Sequence, residues 1–190
     1  MFAQVITQVA EFLELEDDAP PELPPVELAA RCDHFLETAG RLVRAMPDSE
    51  LTNELPDRPR AWRELMHHVF QIPAAFLDME ESGEALTYEN LVAPPPDDLE
   101  TSADIADFGS DVQARFNAWW ENAKDGDFSG TVPTYFGDTT RHEMLERTVW
   151  HTGQHVRQVA SLLEQAGITP DRPLSARDIR GLPLTEAIWD

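Results

Sequence analysis

Cysteine is almost missing from this chain. Cys32 is the only one in 190 residues, so no internal disulfide can form, and the sequence reads as that of a cytoplasmic protein kept in a reducing compartment. Lysine is as scarce. The 14 basic residues are Lys124 and thirteen arginines, set against 36 acidic ones for a formal charge of −22. A surface of that sign repels phosphate backbones and anionic headgroups, which sets nucleic acid and membrane surfaces aside as partners. No apolar run is long enough to span a bilayer. Residues 1–15 are apolar, but they carry no basic segment and lead into Glu16, Asp17 and Asp18, so they do not read as a signal peptide. Strand signals and internal repeats are missing too: no pair of alternating segments joined by a turn can be found.

What the chain does contain is helical periodicity. Its length and its 42% apolar fraction suit one globular domain over residues 1–190. Apolar residues recur at helical spacing over about 2–15 (Phe2, Val5, Ile6, Val9, Phe12, Leu13), and four prolines in residues 17–25 end that segment. A second segment spans about 26–46. A third is expected from Asp57, as N-cap with Pro59 in the first turn, to about residue 79. A fourth starts at Thr101 or Ser102 and stops before Gly126. The last opens on the capping box Thr140-Arg-His-Glu143 and closes at Gly167. The fold class is therefore expected to be all-α. Residues 81–100, with Pro94, Pro95 and Pro96, are long for a bundle loop and can carry the chain across the whole bundle, back parallel to the helix it left. The tail over 168–190 alternates prolines with apolar residues and is expected to drape over the bundle.

Chemistry concentrates in the last helix. His151 and His155 stand one turn apart and project from nearly one line on its surface, so both rings can reach a single ion. Helical phase ranks the candidates for a third ligand. His68 shares its face with Ala61, Leu65, Ile72, Ala75 and Phe76, at the margin of the core where bundles build metal sites. His67 shares its face with Arg60, Arg63, Glu64, Gln71 and Asp78 and is expected to point to solvent. His142 is out of phase with His151, and His34 has no assignable partner. Cys32, two residues before His34, reads as a small buried apolar residue. Glutamate is absent from position 152, where a His-Glu-x-x-His peptidase places its general base, and the paired Glu-x-x-His motifs of di-iron bundles are absent as well. Thr148, Gln154 and Gln158 lie near the histidine face and could orient rings or substrate. Trp119, Trp120 and Trp150 read as core or interface aromatics.

The segment Trp62-Arg-Glu-Leu-Met-His-His68-Val69 and the closing His151-x-x-x-His155-x-x-Gln158, followed by Leu162, Leu163 and Gly167, resemble the two motifs of the DinB/YfiT-like proteins. The resemblance covers roughly residues 26–167 and leaves out the N-terminal helix and the tail. It departs at Val156, where an arginine is frequent, with Arg157 one position later. It implies a four-helix bundle in up-down-down-up order, a divalent metal held by His68, His151 and His155, and a homodimer. It also implies transfer or isomerisation reactions that use a low-molecular-weight thiol, while other members have been proposed as hydrolases.

Three neutral imidazoles leave the charge of a divalent ion uncompensated and coordination positions open. Such an ion acidifies a bound thiol or water. Three readings stay open on the residues alone: a thiol S-transferase acting on a small electrophile, a hydrolase, and a binding protein with a vestigial metal site. The donor set suits zinc or nickel first, then iron, manganese or cobalt.

Overall fold

The computed structural model describes residues 22–55 and 58–189; the helix expected over 2–15 and the N-cap expected at Asp57 lie outside them. The described residues form helices α1 (Pro25–Arg44), α2 (Trp62–Ser82), the single turn α3 (Tyr88–Leu91), α4 (Ser102–Ala123) and α5 (Arg141–Gln165). None is long and apolar enough to cross a membrane. Two short antiparallel hairpins, which the sequence did not signal, pair β1 (Glu54–Leu55) with β2 (Arg58–Ala61) and β3 (Thr131–Val132) with β4 (Thr139–Thr140). Strands of two to four residues are too short to display the alternation by which strands are read.

Each helix end has a local cause. Pro25 opens α1, where a missing N–H costs nothing, and Leu28, Cys32, Phe35, Leu36, Ala39, Leu42 and Val43 form its buried stripe. Helix α2 starts at Trp62, later than the proline signal suggests, because residues 58–61 are extended in the hairpin. No side chain caps it. Its first amides are satisfied from a distance instead: Trp62 N–H donates to the Asn53 carbonyl (2.8 Å) and Arg63 N–H to that of Leu51 (3.0 Å). Helix α5 has the expected capping box: Thr140 Oγ1 accepts from the Glu143 amide (3.1 Å) and Glu143 Oε2 from the Thr140 amide (2.9 Å). Thr101 and Asp104 do the same for α4. Beyond α5, Gly167 takes a left-handed conformation (φ 76°), and Ile168 N–H closes back on the Leu163 carbonyl.

Pairwise contacts give the helix directions. Arg44 meets Asp107 and Gln113 meets Asp33, so α1 and α4 run antiparallel. His67 stacks on Phe108 and Asp78 pairs with Arg115, so α2 and α4 run parallel. His68 lies against His155 while Glu80 pairs with Arg141, so α2 and α5 run antiparallel. The four long helices are therefore up-down-down-up, and α1 and α2, though consecutive, lie across the bundle diagonal. The parallel step from α2 to α4 is made by residues 83–101, whose Leu86 hydrogen-bonds Pro133 and Tyr135 of the next connection.

After α5 the chain turns back along the bundle surface. Arg31 and Arg41 donate to the carbonyls of Arg180 and Arg172, and Leu182 is buried. Arg157 reaches the carbonyls of Thr185 and Glu186 (both 2.8 Å).

Two helical glycines differ sharply in what surrounds them. A Cβ on Gly109 of α4 would lie 2.4 Å from the ring of Phe70, which is fully buried on α2 and cannot withdraw, whereas a Cβ on Gly40 of α1 would meet nothing within 4 Å. Gly109→Ala is expected to cost about 1–3 kcal/mol through overpacking. Gly40→Ala is expected to stabilise by roughly 0.5–1 kcal/mol, because alanine loses less backbone entropy in a helix. Urea unfolding of the two variants measures both.

Candidate metal centre

The antiparallel packing of α2 on α5 sets the second turn of one helix against the middle of the other. This brings His68, His151 and His155 together. Their ring centres are 5.7 Å (His68–His151), 4.9 Å (His68–His155) and 4.9 Å (His151–His155) apart. One nitrogen from each lies within 4.8 Å of the other two. Donors bonded to one zinc ion at about 2.0–2.1 Å would sit somewhat closer together, so a small convergence of side chains completes the geometry.

Two of the three rings are held neutral. Burial pushes the His68 imidazolium down to about 2, helped by the charges of His155, Arg60, His151 and His67. Burial likewise takes His151 down to about 3, with His155, Arg147 and Arg60 adding to it. Each unprotonated ring offers a lone pair, which is the form a metal takes.

Two observations test whether these residues fit an ion. His68 is 5% exposed and its Nδ1 is buried without a hydrogen-bond partner; the Nδ1 of His67 is orphaned in the same way, but only His68 has two further imidazoles converging on it. His155 Nδ1 lies 2.6 Å from Gln158 Oε1. The amide oxygen can only accept, so Nδ1 carries a proton and Nε2 is the nitrogen left to face an ion. Gln158 is fixed in turn by donating Nε2–H to the Ile188 carbonyl (3.0 Å). A ligand histidine whose far nitrogen is tied to an acceptor is the usual arrangement around protein-bound metals.

The structure corrects the placing of His67. It is not in solvent but 2% exposed, stacked on Phe108 of α4 with ring centres 5.1 Å apart. The stripe it shares is covered: Gln71 Nε2 donates to the Asn90 carbonyl (2.8 Å), and Asn90 Nδ2 donates to Asp78 (3.2 Å), so α3 lies over that face. Burial, then Arg63 and Arg60, take its imidazolium down to about 4. It stands outside the three-ring cluster.

The other candidates separate as follows. His142 Nε2 lies 2.8 Å from the Leu23 carbonyl and ties the segment before α1 to α5. His34 is half-exposed, 3.7 Å from Asp178. Cys32 is fully buried, and burial, with the charge of Asp33 adding, raises its thiol pKa far out of the reactive range. Thr148 and Thr152 are buried and bond back to the Met144 and Thr148 carbonyls within α5, and Gln154 Nε2 goes to the Ile188 carbonyl (2.8 Å). Of the three polar residues near the histidine face, only Gln158 is thus seen to touch a ring of the cluster. Trp119 is core, while Trp150 is half-buried with its ring 5.5 Å from that of His151. Sequence reasoning passed over Arg147, one turn before His151 on the same helix line. Its guanidinium lies over the rings of Phe136 and Trp150. The spacing Arg147-x-x-x-His151-x-x-x-His155 was the signal available.

No family model matches the sequence, and no curated protein matches it either. The architecture does have a solved counterpart. The crystal structure of a DinB-like protein from Bacillus cereus ATCC 10987 is similar to this chain with a TM-score of 0.58 at 20% sequence identity, over 74% of this chain and 91% of that one. At that identity the likeness speaks for the fold alone: the bundle that carries the three histidines is DinB-like.

Proposed function

We propose that this protein is a divalent-metal-dependent enzyme of the DinB type, with His68, His151 and His155 as the metal ligands, and that it transfers a low-molecular-weight thiol to or from a small electrophilic substrate. The observation that carries the reading is the convergence of three imidazoles, one of them with an orphaned buried nitrogen. A divalent ion bound there would have positions open beyond the three histidines and would supply the Lewis acidity that makes a thiol ionise near neutral pH.

The chain's own residues do the rest. His68 gives the ligand set its rigid side, because it is packed within α2 and cannot swing out. His151 and His155, half-buried, leave the cluster reachable from one side. Gln158 holds the His155 ring in one tautomer and one orientation, and the segment 185–188 holds Gln158. A purely structural zinc would close four protein ligands, and no fourth metal-binding side chain joins the cluster among the described residues.

Elemental analysis of the purified protein is expected to find about one divalent ion per chain, or to find it after loading with Zn²⁺ or Ni²⁺, and to find that His68→Ala has lost it. His67→Ala is expected to keep the ion, since His67 lies outside the cluster, while losing stability through the cavity beside Phe108. A wild type that takes up no ion, or a His68→Ala that keeps it, refutes the ligand assignment. Thiol consumption with a chromogenic electrophile that stops on chelation supports the transferase; turnover of an ester with no thiol present moves the assignment to a hydrolase.

Gln158→Leu is expected to weaken metal affinity about 10–100-fold, the usual cost of losing a partner that orients a ligand. Truncation after Leu184, which removes the Ile188 carbonyl, should weaken it in the same direction but less. Competition with a fluorescent zinc chelator measures both, and unchanged affinity in Gln158→Leu would show that the His155 contact is packing only.

A further inference from the structure

Arg147 stands apart from the other part-buried arginines among the described residues. Acidic residues outnumber basic ones 36 to 14, and Arg31, Arg44, Arg115 and Arg141 have each found a carboxylate. Arg147 has none. Among the described residues it makes neither an ion pair nor a hydrogen bond; its contacts are aromatic faces, with its guanidinium carbon 4.7 Å from the Phe136 ring centre and 5.5 Å from that of Trp150. Trp150 in turn is 5.5 Å from the His151 ring. The guanidinium is therefore no more than two ring contacts from the metal centre, on the helix line that carries two of its ligands.

A guanidinium lying over aromatic rings with no polar partner keeps its N–H donors unspent. That is the presentation with which arginine binds a carboxylate through two parallel hydrogen bonds, and stacking removes much of the freedom that binding would otherwise have to freeze. The surroundings add a reason for it to be here. The acidic surface repels anions, so an anionic ligand needs local positive charge to enter. Arg147 provides it, and the charge of Arg60 also reaches His68 and His151. A second exposed ring next to the stack, Tyr135, 5.0 Å from Phe136, extends the apolar wall outward.

We infer that Arg147, held between Phe136 and Trp150, is the specificity-determining residue of the three-histidine site, and that the ligand of that site carries a carboxylate at one end and a metal-binding donor at the other. The inference rests on the metal reading above for the second half of that description. The first half, carboxylate recognition by Arg147, stands without it.

The test uses the full chain loaded with Co²⁺, titrated with ω-mercaptocarboxylic acids of increasing chain length and with the mercaptoalcohols of matching length, read by thiolate-to-cobalt absorption. In the wild type the acid of best-fitting length is expected to bind about ten- to a hundredfold tighter than its alcohol, the range for a hydrogen-bonded charge pair. In Arg147→Met, which keeps the stem between the two rings, the preference should shrink to within about twofold with alcohol binding unchanged. Arg147→Lys keeps charge but not the planar fork and should lose most of it. Equal binding of acids and alcohols at every length, or an undiminished preference in either variant, overturns the inference and leaves the metal site standing. If Co²⁺ is not bound, or neither series perturbs its spectrum, it is the metal reading that fails. The arginine is then judged on the metal-free protein: succinate should raise the melting temperature of wild type but not of Arg147→Met, and succinamide of neither. No difference between succinate and succinamide overturns it there.

Discussion

Keeping three imidazoles together at the seam between α2 and α5 is the constraint on which the rest of this structure turns. Imidazole is polar, and withdrawing it from water is unfavourable unless its nitrogens are used. The bundle meets that cost by geometry. His151 and His155 are one turn apart and stay at the margin, half-exposed, while His68 alone goes fully inside. The rotation of α5 that allows this is set from its far side. Gly153 lies between the two histidines in sequence, and the ring of Phe35 from α1 presses where its side chain would be, with a Cβ there only 2.7 Å from the ring. A larger residue would push α5 off α1 or turn it, and either movement would carry the histidine pair away from His68. The close contact to α1 and the site facing α2 are two sides of one helix setting.

How much of this could be read from the chain depends on the range of the interaction. The histidine pair, the capping box at Thr140 and the left-handed Gly167 are decided within a turn or two of helix, and periodicity and cap chemistry show them directly. The long link also announced itself: residues 83–101 are far more than an adjacent antiparallel helix needs, so a crossing to a parallel partner follows from length. The start of α2 failed for a physical reason. Pro59 is as compatible with an extended strand as with a first helical turn. The deciding bonds, from Trp62 and Arg63 to Asn53 and Leu51, come from a hairpin whose strands are too short to signal themselves.

His67 failed for a different reason. Its stripe is polar (Arg60, Arg63, Glu64, Gln71, Asp78), and polarity at helical spacing ordinarily means solvent. Here the crossing link lays its own polar turn over the stripe. Asn90 then satisfies Gln71 and Asp78, and Phe108 of the neighbouring parallel helix covers the imidazole. A buried polar face of this kind is invisible to helical phase, because phase shows which residues share a side and not what comes to cover it. Both rings are buried, and it is His68, the one with apolar neighbours, that the packing sets against His151 and His155.

Gln158, which helical phase places near the histidine face, and Arg147, which it passed over, show what an i, i+4 reading of such a cluster leaves out. Both lie on the helix that supplies two of its three histidines, at offsets of +3 from His155 and −4 from His151, so both were within reach of the same periodic argument. What their sequence positions do not contain is the partner. Gln158 acquires its role only when the tail returns and the Ile188 carbonyl occupies its amide nitrogen, leaving the amide oxygen for His155. Arg147 acquires its role only when the connection before α5 folds Phe136 against it. In each case a connecting segment, not a helix, turns a helix-borne side chain into part of the site. This division suits a bundle in which the helices fix where an ion can sit. The loops and tail then set the orientation of its ligands and the charge of what may approach.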